Sequence, residues 1–223
     1  MRIIISLGGS IIVPEKVDID FLKEFRELMI YFVKKGHKFV IYCGGGALAR
    51  NYQNSASKIV KLSDEELDWL GIKATVLNAN LIKTIFNEHA ESEIIINPTK
   101  EVKSGKPIIV AAGWKPGWST DYDAVLVAKT MEIDTVINIT NVDYVYDKNP
   151  NKHNDARPIE ELNWTDFRKL VGGKWDPGLN MPFDPIAAKE AEKLGLKVYI
   201  VGKDSKNLGN VLSGNKFKGT VIR

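Results

Sequence analysis

Residues 38–52 constrain the fold more strongly than any other stretch of this sequence. The run Lys38–Cys43 is apolar and rich in β-formers, which predicts a buried strand. Three glycines follow at 44–46, and a helical pattern resumes at Leu48. Free amide N–H groups at the start of such a helix, together with its dipole, favour a bound phosphate. We therefore expect an anion site after this strand, with Arg50 one turn further on as a second donor. A tight turn with a surface arginine would explain the glycines equally well.

Two more turns of this kind follow strand-like runs. Gly8, Gly9 and Ser10 come after Arg2–Leu7, and Ser119, Thr120 and Asp121 open a helix after the apolar run 107–112. Because the carboxyl ends of parallel strands meet at one edge of a sheet, these turns should gather there. Two glycine turns indicate more than one phosphate group and hence phosphoryl transfer, in which positioning and charge neutralisation supply most of the catalysis. The sequence contains neither a Walker loop nor G-x-G-x-x-G, which argues against P-loop and dinucleotide folds.

Strand-like and helical segments alternate along the whole chain. We predict strands at 2–7, 38–43, 93–96, 107–112, 135–140, 197–201 and 221–222, the last closing the sheet. Helices are expected from a cap at Asp18 or Asp20, from residue 48, from a capping box at Ser63, over Thr120–Met131 and from Asp184. This order predicts an α/β fold, a three-layer α/β/α sandwich with a mainly parallel central sheet. Residues 141–182 are loop-rich and read as a lid or excursion.

Composition excludes several classes of protein. The chain has 223 residues, enough for one large domain, and its net charge of +3 is too small to indicate a nucleic acid partner. One cysteine, Cys43, excludes an intramolecular disulfide and suits a buried core position in a reducing cytoplasm. The three histidines lack metal-ligand spacing, and no apolar run approaches the length of a membrane span. Since the N-terminus enters a strand without a leader pattern, we expect a cytoplasmic protein.

Several side chains in these turns have two interpretations. Asp121 could cap its helix or organise Mg²⁺ or a lysine beside transferring phosphates, and Asp123 is the near alternative. Tyr144 and Tyr146 follow a strand, and we expect only one of them to face a ligand such as adenine. The tryptophans at 114, 118, 164 and 175 fall in loop-rich segments, where they pack a lid or stack on a base.

Six motifs in register along the chain resemble the amino acid kinase superfamily, and within it the archaeal-type uridylate kinases. They lie at residues 8–10, 44–50, 68–72, 116–121, 140–146 and 184–189. The resemblance implies a single domain over 1–223, a hexamer, and transfer of the γ-phosphate of ATP to UMP with Mg²⁺. It divides the domain near residue 133 into an acceptor-binding lobe, about 1–132, and an ATP-binding lobe, about 133–223. Acetylglutamate, glutamate, carbamate and isopentenyl phosphate remain alternative acceptors, and a non-catalytic nucleotide-binding relative is a further alternative.

The resemblance also implies a role for individual residues. It assigns the UMP phosphate to Gly45 and the ribose hydroxyls to Asp68, since D-x-x-G-[MI] is the family's acceptor motif. Uracil and phosphate would be lined by Trp114, Lys115, Pro116, Gly117, Trp118, Ser119 and Thr120. The ATP phosphates would face Gly9, Ser10, Gly46 and Arg50, and the adenosine would lie on Thr140, Asn141, Tyr146 and Asn149. Asp121 would organise the reaction centre, with Asp184 near the donor phosphates.

The chain departs from the family pattern at three places. Many members carry a lysine two residues before the first glycine pair, and here that position is Ser6. Charge neutralisation then requires another cation, for which Lys115 and Lys189 are the candidates. Tyr144 replaces a glycine of the family, and Trp114 and Trp118 stand where related chains have smaller or different residues. These two changes bear on the adenine loop and on the choice of nucleobase.

Overall fold

The computed structural model describes residues 1–100, 102, 104–150, 153–172 and 182–223, which form a central sheet covered by helices. The strands are β1 (Arg2–Leu7), β2 (Lys38–Cys43), β3 (Ile108–Ala111), β4 (Thr135–Ile139), β5 (Val145–Tyr146), β6 (Pro158–Ile159), β7 (Glu161–Leu162), β8 (Lys197–Val201) and β9 (Thr220–Ile222). The α-helices are α1 (Gly9–Ile12), α2 (Ile19–Lys34), α3 (Gly46–Ile59), α4 (Asp64–Phe86), α5 (Thr120–Met131), α6 (Trp164–Val171), α7 (Pro185–Leu194) and α8 (Ser205–Ser213). A 3₁₀ turn, Asn87–His89, follows α4.

The main sheet has seven strands in the order β3-β2-β1-β4-β8-β9-β7. Neighbouring strands are parallel except for the pair β8 and β9. The chain leaves β1 toward β2 on one side and returns as β4 on the other, which places a topological switch point beside β1. There the Gly8 N–H donates to the Ile139 carbonyl and the Gly44 N–H donates to the Leu7 carbonyl, each at 3.0 Å. The turns after β1, β2 and β4 therefore meet at one edge.

Each strand in the centre of the sheet is buried on both faces, because its side chains alternate between two helical layers. Ile3, Ile5 and Leu7 of β1 pack on the side that holds α2, α4 and α8. Ile4 packs on the opposite side against the layer formed by α5, α6 and α7. This arrangement confirms the predicted three-layer sandwich with a mainly parallel sheet.

The predicted helix starts are confirmed at three positions. Asp18 accepts a hydrogen bond from the Phe21 N–H, and Ser63 forms a complete capping box with Glu66. Asp184 caps α7, with a proline at the first helical position. Such caps satisfy amide groups that have no partner within the helix. Cys43 is fully buried, as expected of a core residue.

The structure corrects four of the sequence predictions. Residues 93–96 do not form a strand, because only Ile95 pairs with β3, through an isolated bridge to Ala111. The sheet ends at β7, beyond the predicted last strand β9. The segment 141–182 is less of an excursion than expected, since it supplies β7 and the helix α6. Trp164 is 5% exposed and packs in the core of the α6 layer, so it is not part of a lid.

Trp175 and the proposed role of the segment around it lie outside the described residues. In the part of the chain that the structure describes, no helix combines the length and the apolar character needed to cross a membrane.

Candidate active site

The two glycine turns pack against each other, backbone on backbone. A Cβ atom on Gly9 would lie 2.1 Å from the Gly46 nitrogen and 2.5 Å from the carbonyl carbon of Gly44. Gly46 has φ +61°, and a Cβ there would lie 2.2 Å from the Gly9 carbonyl. Glycine is thus required at both positions for close approach, and at Gly46 also for the left-handed backbone. The turns after β1 and β2 form one continuous backbone surface.

Asn78 holds the glycine triplet in place from the side. Its amide nitrogen donates to the Gly44 carbonyl at 2.7 Å and to the Gly45 carbonyl at 3.3 Å. The side chain is 2% exposed and projects from the buried stripe of α4. Sequence reasoning missed this residue, although a polar side chain on the apolar stripe of a helix is the signal that would have found it.

The helix α3 begins on the triplet without a side-chain cap. Gly45 is its N-cap residue, and backbone N–H groups at a helix start favour an anion, although the Ala47 N–H of this turn donates to the Val13 carbonyl at 3.3 Å. Arg50 lies one turn further on, is exposed, and makes no ion pair with any residue that the structure describes. Both line a cavity of about 220 Å³ between α3, α4 and the turn after β3. Its lining includes Gly45, Gly46, Arg50, Gln53, Asp68, Thr75, Gly113, Trp118 and Thr120.

Residues 113–119, here called the tryptophan loop, connect β3 to α5 and form one wall of this cavity. Side chains of two helices hold three of its amides. Thr75 Oγ1 accepts the Gly113 N–H at 2.9 Å, and Asp68 Oδ2 accepts the Gly117 N–H at 2.7 Å, both from α4. Asp123 Oδ2 of α5 accepts the Trp114 N–H at 3.0 Å. Asp68 thus fixes the loop with one carboxylate oxygen and faces the cavity.

The side chains of the tryptophan loop form a cation–aromatic cluster. The rings of Trp114 and Trp118 meet edge to face at 5.0 Å, and Trp118 meets Tyr122 of α5 at 4.7 Å. The Lys115 ammonium lies 4.3 Å and 4.1 Å from the Trp114 and Trp118 ring centroids. Cation–π contact and aromatic packing give this wall a defined shape.

Asp121 lies where the first glycine turn meets the start of α7. Its Oδ1 accepts the Ser6 hydroxyl at 2.8 Å, and its Oδ2 accepts the Asp184 N–H at 3.3 Å. Burial raises the pKa of Asp121 to about 6, a rise that the Ser6 hydrogen bond opposes and the charge of Asp184 reinforces. Ser6, which stands where many family members carry a lysine, therefore contacts Asp121.

Asp123 is the more deeply buried of the two α5 carboxylates, with 0% of its surface exposed. Its Oδ1 has no hydrogen-bond partner among the described residues, and neither has the hydroxyl of the buried Tyr42. Burial raises the pKa of Asp123 to about 7 against the opposing effects of the Trp114 N–H and the Lys115 charge. Burial, together with the charge of Asp123, also raises the pKa of Tyr42.

This carboxyl makes stability depend on pH. Asp123 holds its proton up to about pH 7 when folded, whereas its ordinary pKa is 3.8, so folding becomes less favourable as pH rises between those values. Relative to wild type, Asp123→Asn should therefore gain roughly 2 kcal/mol in the free energy of unfolding between pH 5 and pH 8. Urea titrations at the two pH values measure this difference, and an equal difference at both values would contradict the assignment.

Of the residues expected to bind adenosine, Thr140 and Asn141 directly follow β4. The Thr140 N–H donates to the Val201 carbonyl, and its hydroxyl lies 3.3 Å from the Asn141 side-chain oxygen. The rings of Tyr144 and Tyr146 meet edge to face at 6.3 Å, so the two side chains lie together. That only one of them faces a ligand stays a prediction. The Asn149 carbonyl accepts the His153 N–H.

The two candidate cations occupy different places. Lys115 belongs to the tryptophan loop, whereas Lys189 is exposed on α7, the helix whose first amides are capped by Asp184. Within the described ranges, neither Asp121 nor Asp184 forms an ion pair with a lysine or arginine. Those ranges also contain no cluster of three or more histidine, cysteine, aspartate or glutamate residues that could hold a metal by themselves. The remaining loop residues, Pro116 and Ser119, are partly exposed, and Ser119 caps α5.

The sequence and the fold of this chain are similar to those of known proteins. The sequence model described as "Amino acid kinase family" matches residues 1–202. Uridylate kinase of Pyrococcus abyssi is 34% identical over 226 aligned residues, covering 100% of this chain and 99% of that protein. Uridylate kinase of Methanocaldococcus jannaschii is 32% identical over 233 residues, with the same coverage. The crystal structure of uridylate kinase from Archaeoglobus fulgidus matches with a TM-score of 0.86 at 31% identity and covers 100% of both chains. UMP kinase from Bacillus anthracis, at 19% identity and a TM-score of 0.80, shares the fold.

Proposed function

Because this chain belongs to the amino acid kinase family, whose model and full-length relatives it matches, we propose that it is a uridylate kinase. It transfers the γ-phosphoryl group of ATP to UMP and yields UDP and ADP. The alternative acceptors acetylglutamate, glutamate, carbamate and isopentenyl phosphate are not favoured, since the relatives at about a third identity over their full length are named uridylate kinases.

One observation in the structure carries the proposal. The carboxylate of Asp68 accepts the Gly117 N–H, which joins the acceptor motif on α4 to the tryptophan loop. Both line the same cavity as the glycine triplet and Arg50. A ribose-binding acid, a phosphate-binding helix start and an aromatic wall thus surround one space, as a nucleoside monophosphate requires.

On this proposal the UMP phosphate lies on Gly45 at the start of α3. A phosphate oxygen attacks the γ-phosphorus in line, and the bond to the β-phosphate oxygen of ATP breaks. No strong general base is needed, because the attacking phosphate is already anionic. Backbone N–H groups of the two glycine turns, the Arg50 guanidinium and a lysine stabilise the charge that spreads over the transferred group. Trp118, Ser119 and Thr120 orient the acceptor.

The donor nucleotide is proposed to lie on the other side of the glycine turns. Gly9, Ser10, Gly46 and Arg50 would face its phosphates, and Thr140, Asn141, Tyr146 and Asn149 would hold adenosine. A Cβ atom added to Gly8 would lie 3.9 Å from the Thr140 Cα. The first glycine turn is thus next to the residues that follow β4, which supports a donor site that includes both. The acceptor would then belong to about 1–132 and ATP to about 133–223, two lobes of one domain that share the sheet between β1 and β4.

The carboxyl groups of Asp121 and Asp184 suit a Mg²⁺ ion that is bound to the phosphates of ATP. Asp121 and Asp184 lie side by side, and oxygen ligands from one or two carboxylates plus substrate phosphates are what Mg²⁺ prefers. Mg²⁺ would supply neutralisation of phosphate charge. Asp121 would remain ionised above pH 6 and keep its orientation through Ser6, while Asp184 would keep α7 capped.

A coupled ADP-release assay with MgATP against UMP, CMP, dUMP and acetylglutamate tests the proposal. Turnover with UMP and little with acetylglutamate is the expected result. Measurable ATP binding without turnover on any acceptor would identify a non-catalytic nucleotide-binding relative instead. Turnover with acetylglutamate alone would contradict the acceptor assignment.

The lysine that replaces the missing family lysine can be identified by two matched variants. We expect Lys189→Met to lower kcat about 100-fold with little change in KM for UMP, because a cation at the transferred phosphate acts in the transition state. Lys115→Met should instead raise KM for UMP several-fold, since its ammonium shapes the tryptophan loop by cation–π contact. Steady-state kinetics with each substrate varied measure both effects, and the opposite pattern would exchange the two roles.

We further propose that the enzyme assembles into a homohexamer and acts in the cytoplasm, in pyrimidine nucleotide biosynthesis. Large apolar side chains are exposed on and beside α3 and α4, which would provide a subunit interface. They are Tyr52, Ile59, Val60, Trp69 and Leu77. Light scattering of the purified protein tests this, and a monomer at micromolar concentration would contradict it.

A further inference from the structure

We propose that Asp123, together with Tyr42, is a positioning residue for the tryptophan loop and thereby sets the affinity for the phosphate acceptor. The inference rests on the proposed function for the identity of that acceptor, UMP, but the positioning itself is a property of the free protein. Asp123 is assigned no contact with substrate. It acts through the backbone of Trp114 and through the side chain of Lys115.

Asp123 is fully buried, whereas most of the tryptophan loop that it contacts is at least partly exposed. It lies in the first turn of α5, between Ser119, whose carbonyl accepts its N–H, and the fully buried Ala124 and Val125. Its Oδ2 accepts the Trp114 N–H at 3.0 Å, while Trp114 itself is partly exposed. A buried carboxylate that accepts an amide proton forms a strong, directional contact. The start of the tryptophan loop is therefore tied to the helical layer beneath the sheet.

Tyr42 packs on the same side of the sheet as Ala124 and Val125, the residues that follow Asp123 on α5. Its hydroxyl and Asp123 Oδ1 are both buried and both lack a hydrogen-bond partner among the described residues. Unpaired buried polar atoms are rare and costly, and the charge of Asp123 also acts on Tyr42 by raising its pKa. Tyr42 lies on β2 two residues before the glycine triplet. The pair thus connects the loop that forms the cavity wall to the strand that leads to the phosphate-binding turn.

Lys115 gives Asp123 a second hold on the loop. The ammonium lies against both tryptophan rings and is attracted by the buried carboxylate. Asp123 attracts this ammonium when it is ionised, whereas its contact with the Trp114 N–H does not need the charge. The Trp114 amide and the Lys115 side chain therefore respond to the same group, and both Trp114 and Lys115 contact Trp118, which lines the acceptor cavity.

Asp123 acts on the acceptor and not on phosphoryl transfer, because it faces away from the reaction centre. Residues two apart on a helix point in directions that differ by about 200°. Asp121 accordingly contacts Ser6 and Asp184, whereas Asp123 contacts Trp114. A change at Asp123 should alter KM for UMP more than KM for ATP or kcat.

The test compares Asp123→Ala, Asp123→Asn and Tyr42→Phe by steady-state kinetics with UMP and MgATP. We expect Asp123→Ala to raise KM for UMP about tenfold, with kcat and KM for ATP within about twofold of wild type. Asp123→Asn should restore most of the affinity, since its amide oxygen still accepts the Trp114 N–H. Tyr42→Phe should raise KM for UMP about threefold. Asp204→Asn, which alters a helix cap at α8, is the matched control and should leave all three constants unchanged.

A spectroscopic measurement on the free protein separates this inference from the proposed function. The edge-to-face pair Trp114–Trp118 should give a near-ultraviolet circular dichroism signal that is lost in Asp123→Ala and kept in Asp123→Asn. An unchanged signal in Asp123→Ala, or equal changes in all kinetic constants, would overturn the positioning role. If wild type fails to phosphorylate UMP but the signal behaves as expected, the function fails and the positioning stands. Should Asp123→Ala not fold, Asp123→Asn and Tyr42→Phe carry the comparison.

Discussion

Replacing Gly9 by alanine is expected to lower the free energy of unfolding by more than about 3 kcal/mol and to abolish turnover. The added Cβ would lie 2.1 Å from the Gly46 nitrogen and 2.5 Å from the carbonyl carbons of Gly44 and Gly45. All three neighbours are backbone atoms, held by the Gly44 bond to Leu7 and by Asn78. The chain cannot yield there as a flexible side chain would. The two turns must separate, and their separation destroys the continuous amide surface on which both phosphates are proposed to lie.

Gly105→Ala is the matched control for this prediction. A Cβ at Gly105 meets no atom within 4 Å, so the same chemical change should leave stability and turnover nearly unaltered. Urea denaturation and the ADP-release assay measure both variants. A Gly9→Ala protein that unfolds at the wild-type urea concentration and retains turnover would refute the close packing of the two turns.

Replacing Asp121 by asparagine is expected to lower kcat by about 100- to 1,000-fold, with KM for UMP changed less than about threefold. The carboxylate lies between the Ser6 hydroxyl and the Asp184 N–H, at the junction of the first glycine turn and α7. From the first turn of α5 it contacts both β1 and the N-cap of α7, and an amide of the same size removes its charge while keeping its shape. The acceptor contacts on Asp68 and the tryptophan loop remain intact.

Two further measurements make this prediction specific. Ser6→Ala removes the hydrogen bond but keeps the carboxylate, so its kcat should fall less than about tenfold. Because the folded pKa of Asp121 is about 6 and its ordinary value is 3.8, ionisation of this group costs stability as pH rises between them. The unfolding free energy of Asp121→Asn should therefore improve relative to wild type over that interval. A kcat within tenfold of wild type would remove Asp121 from the reaction centre.

Local signals in the sequence predicted the elements and the kind of site. Alternating apolar runs gave the strands, and the caps at Asp18, Ser63 and Asp184 gave the helix starts, since both depend on neighbours within a few residues. The glycine turns after β1 and β2 indicated phosphate binding for the same reason. Tyr144 and Tyr146 show the limit of such local signals, because the sequence did not indicate that their rings contact each other edge to face.

The sequence by itself therefore determined the main strands and helices, the edge at which the polar turns gather and the family to which the motifs belong, but not β7 or α6. Only the tertiary structure decided that Gly9 and the glycine triplet are in contact, and that Asn78 and Thr75 hydrogen-bond to the backbone of two turns. It also decided that Asp121 and Asp123 have different hydrogen-bond partners. The physical reason is distance along the chain. A cap or an alternating strand is specified by adjacent residues, whereas a side chain that satisfies a carbonyl 34 residues away acquires its partner only when the helices pack on the sheet.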